Sequence, residues 1–126
     1  MAEGYIPKGS ATFRLPPVAG PRKLDFVLLP KLTMLALSAA IEPLRIANQI
    51  AQQELYRWHT MSRDGAPVRC SNNLSLVPDG PLARAPRGAR LFVCSGIEPG
   101  QTHDPHLNKW VAGQAAHGVR VGAICT

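Results

Sequence analysis

Cysteine, aromatic residues and acidic residues are all sparse in this chain, and each shortage narrows what the chain can be. There are three cysteines in 126 residues, Cys70, Cys94 and Cys125, and no two of them stand in a C-x-x-C pair. That spacing excludes a zinc ribbon and a thioredoxin-type dithiol, and it fits reduced thiols in a cytoplasm. Long apolar runs are missing too. Phe26 to Leu29 and Met34 to Ile41 fall far short of the roughly 20 residues a membrane helix needs. No basic segment followed by an apolar core and a cleavage site opens the chain, so nothing marks it for export. Eight acidic residues face fourteen lysines and arginines, a formal charge of +6. The cations are scattered, with one loose group at Arg84, Arg87 and Arg90 and another at Arg22, Lys23 and Lys31. No aromatic side chains interleave with them, so a solvated surface is expected rather than a nucleic-acid interface.

What is present suits one folded domain. An apolar fraction of 45% with 17% charged residues excludes wholesale disorder, and the length allows a single core. Residues 1–22 are rich in proline and glycine without periodicity and read as a flexible arm. Leu24 to Leu29 is a short apolar run stopped by Pro30, the pattern of a buried strand. From Thr33 the period changes: Met34, Leu37, Ile41, Leu44, Ala47 and Ala51 recur at three and four residues. An amphipathic helix with Thr33 as N-cap is expected, bent or split at Pro43. A second strand follows from Leu55 to Met61. Two short strands near Val68–Cys70 and Leu74–Val77 make a small hairpin, and Asp79-Gly80-Pro81 reads as the start of a helical turn. Leu91 to Cys94 is a third buried strand. Asp104-Pro105 opens a second helix, with the aspartate as cap, an apolar face of Leu107, Trp110, Val111 and Ala115, and Gly118 as its stop. Val119 to Ile124 forms a fourth strand, running into Cys125.

Alternating strands and helices predict an α/β fold with a partial doubly wound parallel sheet. Functional residues in such folds gather at the carboxyl ends of the strands, near the switch in strand order. Those ends are Pro30 to Thr33, Ser95 to Ile97, and Cys125. A cysteine directly after a buried strand and Gly122-Ala123-Ile124 has the pattern of a nucleophile elbow, with Ser95-Gly96 placed to offer a backbone amide. Taken alone, that pattern favours a buried structural cysteine. His103 and His106 lack a third ligand in fixed geometry, so no metal is expected. Tyr56 and Trp58 have the aromatic character of a quaternary-ammonium wall, but their alternation with Arg57 favours core packing.

Several strings together carry a family resemblance. Phe26-Val27-Leu28-Leu29-Pro30, Ala40-Ile41-Glu42-Pro43-Leu44-Arg45-Ile46-Ala47-Asn48, Leu55-Tyr56-Arg57-Trp58-His59-Thr60, Asp64-Gly65-Ala66-Pro67-Val68 and Gly122-Ala123-Ile124-Cys125-Thr126 occur in order. Residues 24–126 resemble the N-terminal domain of GlxA-type regulators of the AraC family, a PfpI-like domain of the class I glutamine-amidotransferase-like superfamily. The resemblance implies a flavodoxin-like fold over residues 23–126, a homodimer, no cofactor and a cytoplasmic location without membrane association. It also implies a small-molecule effector, of the glycine betaine, carnitine or arginine type, bound by Pro30, Thr33, Ser95, Gly96, Ile97 and Cys125. DNA contact falls to a C-terminal domain that this sequence does not contain.

Enzymes of the superfamily carry an acidic residue early in the first helix, aimed at the cysteine. The corresponding place here is near Ala36, and Met34, Leu35, Ala36 and Leu37 hold no carboxylate. Glu42 lies two turns on and reads as an exposed partner of Arg45. The helix expected to follow Cys125 is not in the sequence either, so no helix dipole is at hand to activate the thiol. A non-catalytic sensor is therefore expected, the rivals being a PfpI-like cysteine enzyme (amidase, glyoxalase-like or isocyanide hydratase-like) and a pure dimerisation module. The 126 residues alone are expected to aggregate, with a raw sheet edge.

Overall fold

A computed structural model describes residues 15–98 and 104–125 of the chain. The expected arm lies mostly outside the described residues, and the first strand begins at Arg22. Seven strands and two helices follow in order among the described residues: β1 (Arg22–Leu28), α1 (Met34–Ala51), β2 (Tyr56–Ser62), a hairpin of β3 (Val68–Arg69) and β4 (Ser75–Leu76), β5 (Gly80–Pro81), β6 (Arg90–Cys94), α2 (Pro105–Ala116) and β7 (Arg120–Ile124). The main sheet has the order β5-β2-β1-β6-β7 and all its pairings are parallel. The chain leaves β1 to build outward on one side with β2, then crosses to build on the other with β6 and β7. The reversal beside β1 is the switch point of a doubly wound, flavodoxin-like sheet.

β1 is buried on both faces from Leu24 onward, which explains an apolar run interrupted only by Asp25. Leu24, Phe26 and Leu28 point into one core with Leu32, Leu37, Val68 and Cys94, joined by Met34, Ile41 and Leu44 of α1. Val27 points the other way, into a core with Met61, Leu91, Leu107 and Val119, covered by Trp110 and Val111 of α2. The helices thus cover opposite faces. Phe26 and Phe92, directly paired across β1 and β6, stack at 5.6 Å between ring centroids. Tyr56 and Trp58 pack against the α1-side core, as their alternation with Arg57 implied.

Four expectations need correction. Asp79-Gly80-Pro81 opens no helical turn: Gly80–Pro81 is a two-residue strand beside Met61 and Ser62. The Asp79 carboxylate accepts from the Thr60 amide at 2.8 Å and hydroxyl at 3.0 Å, drawing the segment onto β2. α1 runs unbroken through Pro43, because the proline lies on the exposed side, where the carbonyl left without a donor faces water. Thr33 holds the N-cap position without a side-chain cap bond. Ala115 is exposed, and Gln114 is the buried residue of that turn, accepting from the Ala85 amide at 2.9 Å. Asp104, by contrast, caps α2 as read, accepting from His106 and Leu107.

The string from Glu42 to Asn48 proves to be architecture. Glu42 and Arg45 form an exposed ion pair at 2.8 Å. Asn48, 2% exposed, accepts from the amides of Leu55 and Tyr56 at 2.8 and 2.9 Å and donates to the Tyr56 carbonyl at 2.8 Å, binding α1 to the start of β2.

Candidate functional site

Three loops converge where β1, β6 and β7 finish side by side. The β1–α1 loop and the loop after β6 are locked by an antiparallel bridge between Leu32 and Gly96 and by the Thr33 amide donating to the Ser95 carbonyl at 3.1 Å. The Ser95 amide in turn donates to Ile124 at 3.1 Å, so the β6 loop is tied to the strand that delivers Cys125. Gly96 is indispensable to this crossing. A Cβ there would lie 2.1 Å from the Lys31 carbonyl oxygen and 2.8 Å from the Thr33 nitrogen, deep inside contact distance.

Each loop also carries a non-glycine residue in the left-handed region: Lys31 at φ 63°, Glu98 at 56° and Cys125 at 63°. Such conformations cost about 1–3 kcal/mol each and concentrate where a fold is built around a ligand or a reacting group. The Lys31 ammonium and the Glu98 carboxylate form an ion pair that spans two of the loops. Cys125, directly after β7, is exposed and has the left-handed backbone that an elbow nucleophile adopts. Its sulfur lies 3.5 Å from the Thr33 hydroxyl, with either group able to donate. Because Thr33 spends its hydroxyl here, it leaves the helix start uncapped. The first turn of α1 carries no acidic residue, as the sequence around Ala36 indicated.

The other two thiols are buried. Desolvation pushes Cys94 up to about 12 and raises Cys70 as well. Of the three, Cys125 is the one open to solvent.

The structure therefore brings together Thr33, Ser95, Gly96 and Cys125. Ile97 is 55% exposed and points outward from the group. Pro30 lies on the other side of the β1–α1 loop, lining an open cleft of about 730 Å³ between the carboxyl ends of β1 and β2 and the start of α2. Its walls carry charges of both signs, Lys31, Arg63 and Arg69 against Asp64 and Asp104, with Arg63 and Asp104 paired at 2.5 Å. Sequence reasoning did not find this cleft or the Lys31–Glu98 pair. Nor did it find the role of the β3–β4 hairpin, which clasps the loop through the Lys31 amide to the Arg69 carbonyl at 2.8 Å and the Ser71 amide to the Leu32 carbonyl at 3.0 Å. These contacts join residues far apart in the chain, and no local pattern announces them. Among the described residues no cluster of histidine, cysteine or carboxylates has the composition of a metal site, and His103 lies outside them.

Comparison with known proteins agrees with this fold. No family model matches the chain. Over 106 residues it is 40% identical to the HTH-type transcriptional regulator GbdR of Pseudomonas aeruginosa, a match covering 84% of this chain and 29% of that protein. The chain thus spans under a third of that relative's length. A crystal structure of an AraC family transcriptional regulator from Pseudomonas putida superposes with a TM-score of 0.72 at 29% identity, covering 82% of this chain and 64% of that one. A THiJ/PfpI family protein from Pseudomonas syringae shares the fold, with a TM-score of 0.63 at 17% identity over 82% of this chain and 42% of that one.

Proposed function

We propose, from the premise that this chain belongs to the PfpI-like N-terminal domains of GlxA-type AraC-family regulators, that it is the ligand-sensing part of a transcription regulator and not an enzyme. The observation that carries this reading is the convergence of three strained, mutually bonded loops at the switch point of the sheet, beside an open cleft. An effector would contact Thr33, Ser95, Gly96 and Cys125 on one side of the β1–α1 loop, or Pro30 and Lys31 in the cleft on its other side. The mixed charges of the cleft suit a zwitterion, which places amino acids and amino-acid-like quaternary amines first among ligand classes. Thr33 supports a binding role over a catalytic one: a hydroxyl beside the sulfur orients a ligand or a thiol but holds no proton-accepting charge near neutral pH.

Effector binding acts on the arrangement of a homodimer in the cytoplasm and so biases DNA binding by the remainder of the regulator. Titration calorimetry of the intact protein with glycine betaine, carnitine and arginine tests this. Saturable heat with at least one of them, lost in Gly96→Ala, is the expected result. No heat and no thermal shift with any small amine would overturn the reading. Iodoacetamide labelling against pH addresses the enzymatic rival, since a Cys125 midpoint well below about 8.5 would mark an activated nucleophile.

A further inference from the structure

The cations that look scattered along the sequence meet at one end of the folded chain. Arg22 and Lys23 open β1, Arg90 opens β6, Arg120 opens β7, and Arg87 stands in the turn that leads into β6. Arg90 and Arg120 are direct partners across adjacent strands, and Arg90 pairs with Leu24, next to Lys23. Together these five line an open groove of about 620 Å³ that no acidic side chain borders. All five are exposed, and none joins an ion pair among the described residues, where the pairs use Lys31, Arg45, Arg57 and Arg63 instead. The groove lies at the amino ends of the strands, the opposite end of the sheet from the Thr33–Cys125 site.

We propose that this groove is an anion-binding surface that takes the phosphate backbone of duplex DNA. Five like charges gathered in a groove with no carboxylate in its lining repel one another, and binding phosphates relieves that repulsion. Four of the five are arginines, whose planar fork matches phosphate oxygens with two parallel hydrogen bonds. The groove offers neither an aromatic ring for stacking on a base nor an amide or carboxylate side chain for reading base edges, so its natural target is the backbone and not a nucleotide. The three strand starts span two inter-strand spacings, about 10 Å, close to the axial rise of three nucleotides of one DNA strand at about 3.4 Å each. In a regulator that also holds DNA through another region, such a surface strengthens binding without adding sequence preference. This goes beyond the sensing role and does not share residues with it.

The test measures binding of the intact protein to a random-sequence duplex of about 30 base pairs by fluorescence anisotropy, as a function of salt. The combined variant Arg87→Ala, Arg90→Ala, Arg120→Ala should flatten the log–log salt slope by about 2.7, so that a fourfold rise in salt costs about 40-fold less affinity than in the parent. The matching Arg→Lys triple variant keeps the charges and should retain most of the slope. A slope unchanged in the alanine variant overturns the proposal. Equal loss in the lysine variant also overturns it, since that would mark a structural role. If polyglutamate binding falls in the alanine variant while the DNA slope holds, the partner is an acidic protein segment and the proposal fails.

Discussion

Gly96 shows how much of the candidate site rests on a single missing methyl group. The Lys31 carbonyl and the Thr33 amide close over its Cα, and both belong to a loop that the β3–β4 hairpin holds from the far side. Alanine there must push the loops apart. Gly96→Ala is expected to cost at least about 2 kcal/mol in urea unfolding and to abolish effector heat, because the crowded atoms are backbone and cannot rotate away. A variant of parental stability would show that the loops are not locked. Asp25 makes the opposite case. It is 7% exposed in the middle of β1, and burial raises its carboxyl above the usual range despite the opposing pull of its strand partner His59 and of Lys23. A group whose folded value is raised favours the native state while protonated; that contribution is complete below the unfolded value of about 3.9 and is lost as pH rises through the folded value. At neutral pH the ionised carboxylate is therefore a burden on stability. Asp25→Asn should raise the melting temperature at pH 7, with the gain shrinking toward pH 3. A lower melting temperature at pH 7 would show instead that Asp25 is needed in its charged form.

Asn48 is the corresponding point at the scale of elements. One buried amide satisfies two backbone N–H groups and one carbonyl where α1 hands over to β2. Asn48→Ala strands them, with an expected loss of about 2–4 kcal/mol measured by denaturant unfolding. A loss under about 1 kcal/mol would mean that water replaces the side chain. Most elements were legible beforehand because their signals are local: a two-face apolar run for β1, a 3.6-residue period for α1, an Asp-Pro start for α2. β5 was misread for a physical reason. Asp79-Gly80-Pro81 has the chemistry of a helix start, and its extended state is imposed by β2 through Thr60 and Met61, some 20 residues away in sequence. Within the site, Cys125 was legible because strand and elbow are contiguous. The Lys31–Glu98 pair was not, since it bridges 67 positions and exists only once β1 and β6 are neighbours. The basic groove was missed likewise: Arg22, Arg90 and Arg120 share nothing in sequence except that each begins a parallel strand.

At the scale of the whole sheet, those parallel strands leave two edges among the described residues, at β5 and β7. β5 is two residues long and contains a proline, which blunts it against pairing. β7 has neither protection. Its five residues, Arg120 to Ile124, are exposed or half-buried; Val121 is 41% exposed, and Arg120, at the strand's first position, is its one charged residue. A row of N–H and C=O groups next to apolar side chains is a template for another strand. Prepared as these 126 residues, the protein should therefore self-associate through β7. Sedimentation velocity should show species larger than the monomer that grow with concentration. Val121→Lys puts a charge on that edge and should shift the distribution toward monomer, leaving the far-UV spectrum unchanged. A monodisperse monomer with a sharp two-state unfolding transition in the parent chain would mean that this edge is already shielded, and that the fold is self-sufficient without a further strand.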